Sequence, residues 1–447
     1  MQLVTMTEAA SGGARSAGAD PRVLIVAEHA SAKFGGEAAL PLHYFRVLRK
    51  RNFPAWLVVH ERTRAELESL FPSEKDRIHY VPDTVAHRLL WRLGKYLPAQ
   101  LSSFSTEFLN RLLTQLYQRQ VIRSLVRERD ISVIHQPMPV SPKEPSMIYG
   151  LGVSVVIGPM NGDMNYPPAF RGMQSAIERF SLVLGRRLAA LMNWLVPGKR
   201  EAAILVVANE RTHRALPHGV CKRVAILVEN GVDLSIWRPS DVADRRSPTK
   251  PTRFVFVGRL VDWKAVNLLL EAFKRAVVHA PMSLLIIGDG VERTGLEELA
   301  RTMGLLEVGS QDAPGKVRFA GWKSQLECAE CLRQSDALVL PSLMECGGAV
   351  VLEAMATGIP VIATAWGGPA DYLDASCGIL VDPSSKDAFI ENIAAALTRL
   401  AKSSEERIAM GEAARAKVVR EFDWDVKVDR MLEIYRTVDT RRSPSCR

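Results

Sequence analysis

Two glutamates in the C-terminal half stand at a spacing that suits a ligand carrying two groups of hydroxyls. Glu345 falls in a predicted turn, and Glu353 falls on the helix that follows, roughly 9 Å along the axis from Gly347. Carboxylates accept hydrogen bonds from hydroxyls, so one extended ligand can contact both side chains. The structural alternative is that Glu353 lies on a solvated helix face and that Glu345 caps the same helix.

Glycines between the two glutamates favour an anion at the centre of that ligand. Gly347 and Gly348 allow the backbone to approach a ligand closely, and they open the helix that carries Glu353. The first turn of a helix presents N–H groups without intrahelical partners and the positive end of the helix dipole. A diphosphate flanked by two hydroxyl-bearing groups, as in a nucleotide sugar, fits this arrangement.

Cations and further glycines follow two other predicted strands of the same half. Gly258 ends one strand and is followed by Arg259 and Lys264. Gly288 ends the next strand. A guanidinium and an ammonium group can neutralise a departing nucleoside diphosphate, whose negative charge grows as the bond to the sugar breaks. The alternative, two surface cations ahead of a helix, is the commoner case when each cation is taken alone.

The candidate residues follow short β-branched runs that alternate with helical stretches. The runs are Val23–Ala27, Ala55–Val59, Ser132–Ile134, Val153–Ile157, Ile204–Ala208, Arg253–Val257, Ser283–Ile287, Val317–Phe319, Ala337–Leu340 and Pro360–Ala363. Because the rhythm occurs once in each half, it predicts two doubly wound, Rossmann-like α/β domains whose strand ends face a central cleft. The expected segments are a disordered tail (1–20), an N-terminal domain (21–240), a linker (241–252), a C-terminal domain (253–422), and a closing helix and tail (423–447).

An ordered set of motifs from about residue 230 to residue 382 carries a resemblance to a known family. The motifs are Glu229-Asn-Gly-Val-Asp233, Gly258-Arg259 with Lys264, Gly288-Asp-Gly290, Phe319-Ala-Gly321, and the two glutamates ahead of Ala354-Met-Ala-Thr-Gly-Ile-Pro-Val-Ile-Ala363. This half resembles the donor-binding domain of glycosyltransferase family 4, the bacterial-type group 1 glycosyltransferases. Members of that family are retaining enzymes of the GT-B fold, in which the N-terminal domain binds the acceptor.

The resemblance implies a role for each matching residue. Arg259 and Lys264 would hold the diphosphate, Glu345 the donor sugar, and Glu353 the ribose. The expected catalytic residues are Glu345, Arg259 and Lys264, and the expected donor-binding residues are Glu353, Gly258, Gly347, Gly348 and Gly288. One departure is Ala265, which stands where the family often has glycine.

Three features of the N-terminal half are candidates for the acceptor side of the cleft. Gly35 and Gly36 resemble the family's glycine-rich loop. His135 follows a predicted strand and is expected to point into the cleft, and Asn161 follows another, where many family members carry a histidine. The structural alternatives are a tight turn for the glycines, a structural partner for His135, and a turn-forming Asn-Gly-Asp that ends at Asp163.

Positive charge is concentrated in the first part of the chain. Residues 1–240 carry 31 Lys and Arg against 20 Asp and Glu, a balance of +11, whereas the remainder carries 27 against 29, a balance of −2. Such a field attracts nucleic acid, anionic lipid or an acidic substrate, and charge alone does not choose between them. Cations among apolar residues at Val85–Tyr96 and around Arg179, Arg186 and Arg187 favour transient contact with an anionic membrane.

Scattered cysteines and the lack of a secretory signal favour a cytoplasmic protein, peripheral at the inner face of the membrane.

The residues and the resemblance together predict metal-independent transfer of a hexose from a UDP- or GDP-sugar, with retention of configuration. The acceptor would be a glycan, a glycolipid or a small molecule, in a polysaccharide pathway. No cofactor, catalytic metal or nucleic-acid partner is expected, since the nucleotide sugar is a substrate. The alternatives are a non-catalytic nucleotide-sugar-binding or scaffold protein of the GT-B fold, a GT-B phosphorylase, a sugar-nucleotide epimerase, and a nicotinamide oxidoreductase. The first strand lacks G-x-G-x-x-G, which disfavours the oxidoreductase.

Overall fold

The computed structural model describes most of the chain and divides it into two compact units. The described residues are 2–4, 20–96, 106, 108–174, 176–217, 219–239, 251–307 and 313–439, with the backbone alone at 2–4, 176–184 and 186. The first unit comprises Met1–Asp163, Ala176–Glu229 and Lys427–Arg447, and the second comprises Met164–Ser175 and Asn230–Val426. Residues 241–250 of the predicted linker (241–252) lie outside the described residues.

The first unit contains a parallel sheet with helices between its strands. The strands are Gln2–Val4 (β1), Val23–Val26 (β2), Ala55–His60 (β3), Ile78–Val81 (β4), Val133–Gln136 (β5), Ser154–Met160 (β6), Ile204–Val207 (β7) and Arg223–Ile226 (β8). They lie in the order β1-β8-β7-β6-β5-β2-β3-β4. Every residue of β2 is fully buried, as expected for a central parallel strand covered on both faces.

Helices of this unit alternate with the strands. The described α-helices are Gly36–Lys50 (α1), Arg64–Leu70 (α2), Val85–Gly94 (α3), Phe108–Glu128 (α4), Ala176–Leu195 (α5), Gly198–Glu201 (α6) and Glu210–Ala215 (α7). Between β2 and β5 the strand order reverses, because β3 and β4 continue on one side while β6, β7 and β8 continue on the other. A reversal of this kind opens a crevice at the carboxyl ends of the two central strands.

The second unit repeats the same architecture. Its strands are Thr252–Val257 (β9), Met282–Ile287 (β10), Val317–Gly321 (β11), Ala337–Leu340 (β12), Val361–Thr364 (β13) and Gly378–Val381 (β14). Its described α-helices are Val266–Ala276 (α8), Arg293–Thr302 (α9), Gln325–Arg333 (α10), Ala349–Ala356 (α11), Pro369–Tyr372 (α12), Lys386–Lys402 (α13), Ser404–Glu421 (α14) and the start of Trp424–Val438 (α15). The parallel strands lie in the order β11-β10-β9-β12-β13-β14, so the reversal falls between β9 and β12.

The structure confirms the two doubly wound sheets and the closing helix, and it differs from the sequence prediction at the margins. Each of the ten predicted strands is present within three residues of its expected ends. Four further strands were not predicted, namely β1, β4, β8 and β14. β1 lies within the tail that was expected to be disordered. That expectation is wrong for residues 2–4, because they pair with β8. The continuous domain boundaries also change, since residues 164–175 group with the second unit and residues 427–447 with the first.

Glycines allow the ends of three strands in the second unit to approach one another. The Gly258 N–H donates to Ile287 O at 3.0 Å, and the Gly288 N–H donates to Gly321 O at 2.9 Å. Gly288 has a φ of +138°, and a Cβ added there would lie 1.9 Å from the Gly258 carbonyl oxygen. Only glycine fits both the backbone angle and the space at this position.

We expect Gly288→Ala to destabilise the second unit by about 3 kcal/mol or more, because it combines overpacking against a backbone oxygen with backbone strain. Gly295→Ala is the matched control, since a Cβ there meets nothing within 4 Å and the position is inside α9. The control should be neutral or stabilising by up to about 1 kcal/mol. Urea denaturation of both variants measures the difference. Equal stability of the two variants would contradict the close approach of the strands.

Candidate functional site

The residues predicted to bind a donor follow the two strands at which the order of the second sheet reverses. Gly258, Arg259 and Lys264 follow β9, and Glu345 and Gly348 follow β12. β9 and β12 are direct neighbours, with Leu338 of β12 opposite Val255 of β9. Because parallel strands end at the same edge of a sheet, both loops leave the sheet side by side at the position where such folds bind ligands.

An ion pair joins these two loops. The Lys264 ammonium group donates to Glu345 Oε2, and each side chain is only 14% exposed. A backbone hydrogen bond from Leu343 N to Trp263 O, 2.8 Å long, ties the same loops together. Lys264 and Glu345 are therefore held beside each other, whereas the sequence indicated only that both would contact a donor.

The loop geometry explains the one departure from the family pattern. Lys264 ends a 3-10 turn, and Ala265 follows it in the left-handed conformation with a φ of +51°. Glycine adopts this conformation at no steric cost, which accounts for its frequent use there. In this chain the Ala265 methyl group is instead buried in front of α8.

Glycines also shape the backbone around Glu345. Gly348, rather than Gly347, has a left-handed φ of +71°, and a Cβ there would lie 2.9 Å from Glu345 Cγ. Gly368 N donates to Glu345 O at 2.8 Å, and a Cβ at Gly367 would lie 2.3 Å from the same oxygen. Gly367 and Gly368 were missed from the sequence, although a glycine pair shortly after β13 was a signal that could have identified them.

Glu353 lies apart from the ion pair, on α11. Among the described residues, no hydrogen bond or ion pair joins it to Lys264 or Glu345. Burial raises the pKa of Glu353 from 4.5 to about 7, and burial together with the nearby Glu353 carboxylate raises the pKa of Cys328 on α10. The carboxyl is therefore half-buried and titrates near neutral pH, which differs from a carboxylate on a solvated helix face.

Arg259 is exposed and stands immediately after the Gly258 turn. In the part of the chain that the structure describes, its guanidinium group makes neither a hydrogen bond nor an ion pair. Its five N–H donors are consequently available to an anion, and a guanidinium fork matches two phosphate oxygens.

The predicted acceptor residues all lie in the first unit, and the glycines among them are open. Gly35 has a φ of +99° and precedes α1, which begins at Gly36. A Cβ at either position would meet nothing within 4 Å. The turn therefore requires glycine at position 35 for its backbone angle rather than for space.

His135 and Asn161 are corrected, because both are buried and hydrogen-bonded inside the first unit. His135 Nε2 lies 2.7 Å from Gly158 O, its Nδ1 lies 2.7 Å from the Tyr435 hydroxyl, and burial lowers its pKa to about 4. Asn161 donates to Glu229 Oε1 at 2.6 Å and accepts from Arg211 at 3.0 Å. These partners give each residue a structural role inside the first unit in place of contact with an acceptor.

One group of side chains in the first unit has the composition of a metal site. The ligand atoms of His60, Asp83 and His87 lie within 4.8 Å of one another. However, Arg62 donates to Asp83 Oδ1 at 3.0 Å, and both ring nitrogens of His87 lie within 3.1 Å of threonine hydroxyls. These contacts account for two of the three side chains without a metal ion.

The sequence matches a family model and curated relatives over its C-terminal part. The model of the group 1 glycosyl transferases matches residues 238–417. A glycogen synthase of Mycobacterium tuberculosis is 28% identical over 258 residues, which cover 56% of this chain and 58% of that protein. A D-inositol 3-phosphate glycosyltransferase of Thermomonospora curvata is 34% identical over 232 residues, 47% of this chain and 50% of that protein. The chain thus spans about half the length of the curated relatives it matches.

Solved structures match nearly the whole chain and establish its fold. Anabaena Alr3699/HepE in complex with UDP aligns with a TM-score of 0.63 at 14% identity, over 93% of this chain and 100% of that chain. Sucrose-phosphate synthase from Thermosynechococcus elongatus aligns with a TM-score of 0.59 at 18% identity, over 93% and 98%. The predicted GT-B fold is confirmed by this likeness. Residues 238–417, the C-terminal part of the chain, are similar to the group 1 glycosyl transferases.

Proposed function

We propose that the protein transfers a hexose from a nucleoside-diphosphate sugar to an acceptor hydroxyl, with retention of configuration and without a catalytic metal. The observation that carries this proposal is the Lys264–Glu345 ion pair at the strand-order reversal, with the exposed Arg259 in the same loop as Lys264. The neighbour solved with UDP and the family match support a nucleotide-sugar donor. A UDP-sugar is therefore the first donor to test, followed by GDP-sugars.

Each donor group has a side chain of matching chemistry. The diphosphate would lie against Arg259 and Lys264, whose positive charges replace its solvation. The hexose hydroxyls would donate to Glu345, and the ribose hydroxyls to Glu353. Lys264 already contacts Glu345, so a donor spanning both residues extends an existing polar contact instead of separating it.

The chemical step needs stabilisation of the leaving group above all. The bond between the anomeric carbon and the diphosphate oxygen breaks, and a bond from the same carbon to the acceptor oxygen forms. Entry of the acceptor on the face that the diphosphate leaves preserves the configuration, and the acceptor proton passes to the departing phosphate oxygen. Arg259 and Lys264 stabilise the charge that develops on this diphosphate, which is the role that a metal ion has in other enzymes.

We infer transient contact of the first unit with an anionic membrane, which would suit a lipid-linked acceptor. Helices α3 and α5 expose apolar side chains, namely Val85, Leu89, Leu93, Leu188, Leu191 and Trp194. The side chains of Arg179 and Arg186 lie outside the described residues. No helix in the described ranges is long and apolar enough to span a bilayer. We expect co-flotation with vesicles containing anionic lipid and none with neutral vesicles, and equal recovery from both would refute the contact.

We expect Lys264→Met to lower kcat/KM for transfer by about 10²- to 10³-fold, because the departing diphosphate loses a positioned cation. Lys274→Met, at an exposed position of α8, is the matched control and should retain full activity. Circular dichroism verifies that both variants are folded. Transfer by Lys264→Met at the rate of its control would contradict the assigned role. Donor binding without turnover in the unmodified protein would favour the non-catalytic alternative.

Donor affinity should depend on pH through Glu353. Its pKa of about 7 lies above its ordinary value, so its contribution to folding is present at low pH and is lost as the pH rises through about 7. Ribose hydroxyls donate to the ionised carboxylate, so donor binding favours the deprotonated form. We therefore expect donor affinity to fall roughly five- to tenfold from pH 8 to pH 6.

Isothermal titration with an intact nucleotide sugar measures this dependence, because its doubly esterified diphosphate has no ionisation in that range. Glu353→Gln removes the titrating group and should bind with a nearly constant, lower affinity. The conservative variant Glu353→Asp should restore part of the pH dependence. An unchanged pH profile in Glu353→Gln would exclude Glu353 as the titrating contact.

A further inference from the structure

We propose that a cavity in the first unit binds an uncharged, hydroxyl-rich ring such as a sugar or a cyclitol. The cavity has a volume of about 480 Å³, within the range of small-molecule sites. The proposal rests on the proposed function in one respect, since under that function this ring is the acceptor. The residues predicted for acceptor contact do not line the cavity, although Glu37, which does, directly follows Gly36.

The cavity lies where the strand order of the first sheet reverses. Glu28 and His29 follow β2, Met138 follows β5, and all three residues line the cavity. Helices α3 and α4 complete the wall through Trp91 and Asn110. Open parallel sheets bind ligands at the carboxyl ends of such strands, so the position favours a ligand site over an incidental gap in packing.

Three buried polar atoms on residues of the cavity wall have no hydrogen-bond partner within the described ranges. They are Asn110 Oδ1, which accepts, Arg111 Nε, which donates, and His29 Nδ1, which does either according to its tautomer. Buried polar atoms are rarely left without partners in folded proteins. Each of these atoms has almost no accessible surface, so a hydroxyl-bearing ligand pairs with them when their side chains turn toward the cavity.

An aromatic ring stands beside these polar atoms. Trp91 lines the cavity and is 54% exposed. Lys95 Nζ lies 3.6 Å from the centroid of that ring and covers one of its faces. A rigid aromatic face packs against the C–H face of a sugar ring while neighbouring polar side chains bind its hydroxyls. Trp91 therefore supplies the apolar contact that the polar wall lacks.

The charges of the wall favour a neutral ring over a phosphorylated one. Arg111 donates to Glu144 Oε1 at 2.6 Å, and both residues line the cavity. Arg62, also in the wall, donates to Asp83 Oδ1 at 3.0 Å. Glu28 adds a further carboxylate to the wall. A phosphate would have to compete with these carboxylates for both arginines and would lie close to like charges.

Saturation-transfer NMR titrations of the full chain, without any nucleotide sugar, test the proposal. The probes are glucose, mannose, N-acetylglucosamine and myo-inositol, each beside its monophosphate. We expect at least one neutral probe to bind, with a Kd at least tenfold lower than that of its monophosphate. Trp91→Ala and Asn110→Ala should each raise that Kd at least tenfold. Trp322→Ala, which removes a tryptophan 76% exposed in the second unit, should leave it unchanged.

Three results would overturn the proposal. They are binding of none of the probes, binding of a monophosphate as tightly as its neutral partner, and an unchanged Kd in Trp91→Ala, a variant at an exposed position that should fold normally. Thermal-shift measurements with nucleotide sugars in the same preparations test the proposed function separately. If no nucleotide sugar shifts the melting temperature while a neutral ring still binds, the result contradicts the proposed transferase activity. It does not contradict the proposed ligand of the cavity.

Discussion

The ion pair between Lys264 and Glu345 is the contact on which the second unit's candidate site depends. It links the loops after two neighbouring strands, and both charges are largely removed from water. A partly buried charge without a partner is strongly destabilising, so each side chain constrains the conformation of the other loop. The left-handed conformation of Gly348 places its backbone against the Glu345 side chain. Ala265, also left-handed, ends the 3-10 turn that carries Lys264. The proposed function and the local backbone geometry thus depend on the same few residues.

The two units share one sheet architecture but carry side chains of different chemistry at the same place in it. In each, the parallel strand order reverses between two central strands, and chemistry-bearing side chains follow those strands. The second unit places cations and a carboxylate there, which suits a charged diphosphate linked to a sugar. The first unit places a polar cavity with an exposed tryptophan at its reversal, which suits an uncharged ring. Under the two proposals, the charged donor and the neutral ring therefore bind to separate units.

Local patterns made the central strands predictable from the sequence and singled out the candidate donor residues, whose roles stay predictions. Strands such as β2 and β12 are buried on both faces and therefore form apolar runs, whereas β4 is half-exposed and includes His79 and Tyr80. The structural roles of His135 and Asn161 were not predictable, because their partners lie far along the chain: Tyr435 is 300 residues from His135, and Glu229 is 68 residues from Asn161. The cavity escaped prediction for the same reason, since two strand ends and two helices assemble it.

A crystal structure of the protein with a bound nucleoside diphosphate tests the central claim most directly. The account predicts that phosphate oxygens lie within hydrogen-bond distance of Lys264 Nζ and the Arg259 guanidinium group, with the ribose hydroxyls at Glu353. It also predicts that Glu345 keeps its contact with Lys264, facing the space that the hexose of an intact donor would fill. A diphosphate bound away from Lys264, with the ion pair undisturbed and Arg259 still exposed to solvent, would contradict it.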